Sequence, residues 1–365
     1  YDGPIATVNP LDVAGPATSL GARARRSLRT AGLKEWEAFQ LGDDDWFVLG
    51  AVYDAKAVKA AYLQDAVVAV AAGKSVAMAK TKALGCTIKF RAKAVGLLQV
   101  LVVDKRNDSI RRWERKVPPP VVHVARGLSG TRSHGHTGGF TMSIGNELAR
   151  GSLRVDASHP GHGELPPLEL HGTGTCGPDQ AGHLVVVHPF GDDRALYSHK
   201  VMMPFAGTLH VGADQVGLAA DRGFLILDDH HGDYPRPMRY DWLTAMRRGE
   251  SGRIEGFNLT ANQIRDPDRY NENALWIGAE VHRLPAITVD RPSGPWGVWH
   301  AHDRHGAVDV RFTPTVRSTM HVGPRRSLAE YYAPYGWMEG TIEAQGARLG
   351  VDGMFGVGEQ KLVRL

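Results

Sequence analysis

Cysteine is scarce in this chain. Cys86 and Cys176 are the only two in 365 residues, and no CxxC joins them. That excludes a disulfide framework and a cysteine-built zinc site, and it predicts a reducing, cytoplasmic setting. Long apolar runs are missing too. The longest, Ala66 to Gly73, falls well short of the roughly 20 residues of a transmembrane helix, so no stable membrane insertion is expected. No glycine fingerprint for a nucleotide follows a strand, and no Gly-x-Ser-x-Gly elbow offers a nucleophile. Charge of one sign is not concentrated: the net charge is +4. Its basic spots (Arg23 to Arg29, Arg111 to Lys116, Arg247 and Arg248) are separate, which reads as solvated surface and excludes a nucleic-acid track. Helical periodicity is confined to Leu243 to Arg248, Ala261 to Arg269 and Ser327 to Tyr332.

Glycine, by contrast, is abundant: 43 residues with no collagen period, which marks frequent tight turns. Short apolar runs lie between turn signals along most of the chain. Among them are Trp46 to Tyr53, Tyr62 to Val70, Ser75 to Ala79, Ile88 to Ala92, Gly96 to Val103, Ser198 to Val211 and Val308 to Phe312. Such spacing predicts an all-β protein with minor α content, built from antiparallel barrels or sandwiches. The length exceeds most single cores and predicts two domains. We place an N-terminal domain with an extended arm over 1–195 and a C-terminal domain over 196–365. The Gly-, His- and Pro-rich stretch from Ala125 to Gly182 predicts long loops over short strands. Gly172 to Gly177 lacks a Lys-Ser/Thr pair and reads as a loop.

One stretch concentrates reactive groups. The apolar run Phe224 to Leu227 delivers Asp228, Asp229, His230 and His231 side by side. Strand alternation sends Asp228 and His230 to one face, Asp229 and His231 to the other. Soon after come Tyr234, Arg236, Trp242, Asn258, Gln263, Tyr270, Asn271, Glu272, Asn273 and Trp276. Amides among aromatics suit the orientation of a polar substrate group, and buried amides require partners. Lys200 reads first as a surface lysine, with an amine nucleophile or a carboxylate anchor as the functional alternatives. His134 and His136, two apart on one strand face, could join Asp229 and His231 in a mixed metal site. His300 and His302 share that spacing beside a turn, where solvent exposure is expected.

The residues Lys200, Met203 to Gly207, Asp228 to Gly232, Tyr234 to Arg236, Trp242, Gly256 to Thr260, Gln263, Asp266-Pro267, Tyr270 to Asn273, Leu275-Trp276, Leu284-Pro285, Val308-Asp309, Phe312, Pro314 and Gly356 to Glu359, with Lys34 to Trp36 and Arg112 to Lys116, carry a resemblance. The chain resembles a bacterial family known as domain of unknown function 2804. That family is distantly similar to the lipocalin-like group of carotenoid 1,2-hydratases and related Diels–Alder cyclases. The resemblance implies two lipocalin-like antiparallel barrels and a mostly apolar pocket. It also implies an Asp-His pair of the kind the hydratases carry in a Tyr-rich segment.

Three functions follow as expectations. The first is a cofactor-independent hydratase, dehydratase, isomerase or cyclase for a small apolar or amphipathic molecule. In it Asp229 and His231 are the acid–base pair, oriented by Asp228 and His230. Tyr234, Asn258, Asn271 and Glu272 hold the polar end, with no metal. The second is a carrier without chemistry. The third is a hydrolase or lyase for a sugar-containing substrate, which requires Asp229 and Glu272 to oppose each other across the pocket.

Overall fold

The structure is a computed structural model, and it describes residues 34–55, 95–125, 127–191, 194–322 and 329–364. The expected N-terminal arm, the strands expected between 62 and 92, and Cys86 lie outside these residues. Almost every described element is a β-strand, and the strands form two curled antiparallel sheets. The all-β expectation therefore holds.

Among the described residues the first sheet has thirteen strands. Its centre is the trio Lys34–Gly42, Phe224–Gly232 and Ala195–Val211, hydrogen-bonded in that order. Trp46–Ala55, Val95–Asp104 and Ser109–Val117 extend one side. Leu168–Thr175, Ser152–His159, Phe140–Glu147 and Ser129–Thr137 extend the other. The second sheet, of twelve strands among the described residues, is organised around Met238–Arg248, Ile254–Asn262, Met354–Val363 and Tyr335–Ala344. The chain changes sheet after Gly232, later than the seam placed at 195/196. The cause is the ladder itself: Phe224–Gly232 closes the gap between the first strand and the long Ala195–Val211 strand.

Other local expectations change for the same reason, that tertiary pairing outweighs short local pattern. Leu243 to Arg248 is the end of a strand, its apolar residues paired with Ile254–Asn262. Ala329–Tyr332 is also a strand. The one α-helix among the described residues is Pro267–Tyr270. The stretch from 129 to 175 is a meander of four strands, and Gly172 and Gly174 sit inside the last of them. They are glycines because the sheet is crowded there: a Cβ would meet the Phe205 ring at 2.2 Å and the Met203 sulfur at 2.4 Å.

Alternation sorts the side chains into three layers. Leu225 and Leu227 join Phe39, Leu41, Val201 and Met203 in the core enclosed by the first sheet. Leu243, Phe257, Leu259 and Phe312 fill the second sheet. The remaining faces meet between the sheets. There Phe224, Ile226 and Met202 pack on Met246, Ile254 and Trp276, and Phe47, Leu49 and Leu101 pack on Trp242, Phe355 and Val357. The candidate site lies in this middle layer.

Candidate active site

All nine residues of Phe224–Gly232 are buried, so burial alone does not choose between its faces. Register does. His230 lies between Trp36 and Ser198, and Asp228 between Ala38 and Lys200. These positions continue the row of Phe224 and Ile226 and so face the second sheet. The opposing patch comes from Met238–Arg248, where Trp242 is flanked by Thr260 and Glu359, and Tyr240 by Asn262 and Lys361. Between the patches is a cavity of about 230 Å³, bordered by Asp228, His230, Lys200, Glu272, Tyr234 and Glu359 and walled by Trp36, Tyr53, Trp242 and Tyr331. It suits a compact, mostly apolar ligand.

A charged network forms one side of this cavity. Lys200 is 1 % exposed. It donates to the Asp228 carboxylate and lies 3.7 Å from Glu272, with its ammonium 5.1 Å from the centre of the Trp242 ring. His230 Nε2 lies 2.8 Å from Asp228 Oδ1 and 3.0 Å from Ser198 Oγ. Its Nδ1 is 3.4 Å from the Tyr234 hydroxyl, and its ring stacks on Trp36 at 4.5 Å. Glu272 is held in the loop after the short helix by hydroxyls, Ser198 donating at 2.6 Å and Thr260 at 2.9 Å.

The electrostatics follow from this packing. Burial alone would raise the Asp228 carboxyl, but His230 and Lys200 outweigh it and hold the group well below the usual carboxylate range. Burial is likewise overcome at Glu272, by Lys200, His188 and His230, and it is pulled down to about 2. At Lys200 burial is overcome by Asp228 and Glu272, and the ammonium is held firmly protonated. Glu359 goes the other way. Burial pushes its carboxyl up, only partly offset by Lys361 and by the hydroxyls of Tyr331 and Tyr240. Burial also keeps the Tyr234 phenol protonated. One cavity thus holds a firmly ionised carboxylate, Asp228, beside an imidazole, and a carboxyl, Glu359, pushed toward its protonated form, the kind of divergence between carboxyl groups that separates acid from base assignments.

The opposite face of the same strand carries a second buried network. His231 Nε2 is 3.0 Å from Asp229 Oδ1, and its Nδ1 is 3.2 Å from Glu35. Glu37, fully buried beside Asp229, accepts from Ser133 and from Asn146 at 3.1 Å. Burial and the Asp229 charge push Glu37 up to about 8. An acid raised on folding stabilises the fold at low pH, and that contribution is lost as pH climbs from the ordinary carboxylate range through about 8. Glu37→Gln keeps the hydrogen bonds and removes the ionisation. It should therefore be more stable than the wild type at pH 9 and close to it at pH 5, as read by urea unfolding at both.

Comparison with known proteins places the chain. The family model for domain of unknown function DUF2804 matches residues 29–365. The chain belongs to the DUF2804 family. No curated protein matches it. Solved structures share the fold of this DUF2804 chain at low identity. An AttH candidate from Nitrosomonas europaea is 11% identical with a TM-score of 0.52, over 98% of this chain and 99% of that one. CghA in complex with Sch210972 is 10% identical with a TM-score of 0.54, over 92% and 90%. Kievitone hydratase from Nectria haematococca is 10% identical with a TM-score of 0.50, over 90% and 88%.

Within this DUF2804 fold the expected site residues separate into groups. Asp228, His230, Glu272, Tyr234, Trp242, Lys200 and Gln263 border the cavity. Lys200 is an anchor, not a surface residue, because its strand position faces the middle layer. Gln263 stands at the rim, accepting from the Arg239 amide at 2.6 Å. Asn258 supports the wall from behind, accepting from the Trp242 indole at 2.5 Å and donating to the Glu272 carbonyl at 2.8 Å. Asp229 and His231, expected as the acid–base pair, point into the first sheet's own interior. Asn271 and Asn273 hold loop backbone, bonding to Pro267, Thr260 and Pro285. Trp276 is core, its indole donating to Gly182 at 2.9 Å. Tyr270 packs under Arg269 on the short helix, and Arg236 is exposed.

His134 and His136 are exposed, on the face of their strand opposite Ser133, so they do not meet the buried Asp229 and His231. His300 and His302 are half-exposed, as expected. With Asp290 they form a trio whose ligand atoms lie within 4.8 Å of one another, the arrangement among the described residues that could hold a metal ion. Each imidazole there is already paired with a carboxylate, His302 with Asp290 at 3.0 Å and His300 with Asp309 at 2.8 Å.

Trp36, Ser198, Glu359, Lys361, Tyr240 and Tyr331 were given no site role by the sequence. Their signal was cross-strand register, which becomes visible only once the strands are paired.

Proposed function

We propose that this protein is an acid–base enzyme that hydrates, dehydrates, isomerises or cyclises a small apolar molecule in the cavity between its two sheets. The reading rests on one observation: Asp228 and Glu359 border one cavity and are driven in opposite directions by their surroundings. In this reading His230 is the base, oriented and charge-stabilised by Asp228 in the manner of a carboxylate–imidazole dyad, and Glu359 is the acid. For hydration, His230 removes a proton from water as its oxygen bonds to one carbon of a polarised double bond, and the Glu359 proton passes to the other carbon. Dehydration is the reverse. For isomerisation the base takes a proton from one carbon and the acid returns one to another. Lys200 and Glu272 position the dyad. No cofactor is needed. That a solved protein of this fold is named a hydratase is consistent with the reading.

A carrier would need only the apolar walls of the cavity, whereas acid–base chemistry uses the lysine, carboxylates and imidazole that border it, which favours the enzyme reading. The sugar-cleaving reading loses its carboxylate pair, because Asp229 and Glu272 stand on opposite sides of the first sheet. The test is an apolar metabolite extract incubated with the protein in deuterated water and followed by mass spectrometry. An enzyme of this kind yields a compound that gains or loses one water, or an isomer carrying solvent deuterium. Binding without any chemical change would leave the carrier reading.

A further inference from the structure

Lys34 opens the first strand of the central trio, paired with Gly232 on one side and Ala55 on the other. By alternation it points the same way as Trp36, into the cavity it helps to line. It is 5 % exposed, and its Nζ has no hydrogen-bond partner among the described residues. The ring of Tyr234 lies 5.8 Å from it. Buried amino groups are almost always partnered, so an exception at a cavity wall needs an explanation.

Its charged surroundings sharpen the point. Lys361 from Met354–Val363 and Arg236 from the loop after Gly232 repel the Lys34 ammonium, and Asp233 opposes them. Lys361 lines the same cavity with the rings of Trp36, Tyr53, Tyr240 and Tyr331 at 5.1–5.9 Å. An uncharged ligand would leave both the unpartnered amine and the repulsion between the lysines in place. An anionic oxygen near Lys34 would relieve both. We propose that this end of the cavity is an anion subsite, and that the ligand is an apolar molecule carrying an acidic oxygen, a carboxylate or a stabilised enolate, which Lys34 binds. The inference rests on the cavity being the ligand site but not on the chemistry assigned to it.

A consequence follows for pH. Burial first, then Lys361 and Arg236, lower Lys34 to about 7. An anion bound beside it restores the proton. Binding therefore takes up a proton near neutrality, and affinity falls by up to about tenfold per pH unit above about 7.

Decanoate and decanol are probes of matched size that differ in charge. In calorimetric titrations at pH 6 the wild type should bind decanoate at least about tenfold more tightly than decanol. Decanoate affinity should fall from pH 7 to 9, with proton uptake revealed by buffers of different ionisation heat. Lys34→Met should lose the preference for decanoate while keeping decanol affinity. Lys34→Arg should keep the preference and lose its pH dependence, since guanidinium stays charged. Equal affinity of the wild type for the two probes, or an undiminished preference in Lys34→Met, would overturn the proposal. The wild-type titration decides the matter if a variant fails to fold. Because these measurements need no turnover, their failure would leave the acid–base reading standing, and an inactive enzyme would leave the subsite standing.

Discussion

His230→Gln is expected to lower turnover by about 10²–10⁴-fold, the range for loss of a positioned acid–base group, with ligand affinity changed little. The argument is geometric. His230, the imidazole that borders the cavity, lies 2.8 Å from a carboxylate through one nitrogen and faces a cavity phenol with the other. The stack on Trp36 fixes its plane. Glutamine can keep a hydrogen bond to Asp228 or Ser198 but cannot move a proton. The measurement is single-turnover rate beside ligand affinity for the wild type and the variant. A fall in affinity with an unchanged rate would make His230 a binding residue only.

Lys200→Met is expected to be the most damaging single change to stability, at about 3–5 kcal/mol, the usual cost of leaving a buried ion pair with one partner. The ammonium is the cation that Asp228 and Glu272 share. Without it two desolvated carboxylates face each other. In the wild type both carboxylates titrate below their ordinary range. Their stabilisation is therefore complete at neutral pH and is lost only as pH falls from the ordinary carboxylate range through those lowered values. In Lys200→Met that order reverses: the deficit is largest at neutral pH and shrinks on acidification as the carboxyls take up protons. Guanidinium unfolding at pH 7 and pH 4 measures both. Adding Asp228→Asn to Lys200→Met should recover part of the loss, whereas further destabilisation would mean the two residues act independently.

The sequence carried the fold class well. Short apolar runs between glycine turns can be little else than antiparallel sheet, and the Asp228 to His231 segment announced itself as a strand with two chemically loaded faces. What it could not carry was which face meets the cavity. Both are buried and both hold one aspartate and one histidine, so composition does not distinguish them. The decision lies in the neighbours: Trp36, Ser198 and Lys200 on one side of the sheet, Glu35, Glu37 and His199 on the other. Those residues stand far from Asp228 in sequence and reach it only through register. The amide-rich segment misled for a related reason. Asn271 and Asn273 look like ligand-orienting groups, but the loop they belong to consumes their hydrogen bonds. Glu359 belongs to the Gly356 to Glu359 match with the family but gave no local sign of a site role, because that role comes from burial between Tyr240 and Tyr331.

The central claim is that chemistry belongs to the face of Phe224–Gly232 that looks between the sheets. The most direct test compares Asp228→Asn with Asp229→Asn, two isosteric changes at adjacent positions of one strand, in the same turnover assay with folding verified for each. Asp228→Asn should lose turnover by about 10²-fold or more while still binding ligand, and Asp229→Asn should keep the wild-type rate. An inactive but folded Asp229→Asn beside an active Asp228→Asn would contradict the claim and move the site into the interior of the first sheet.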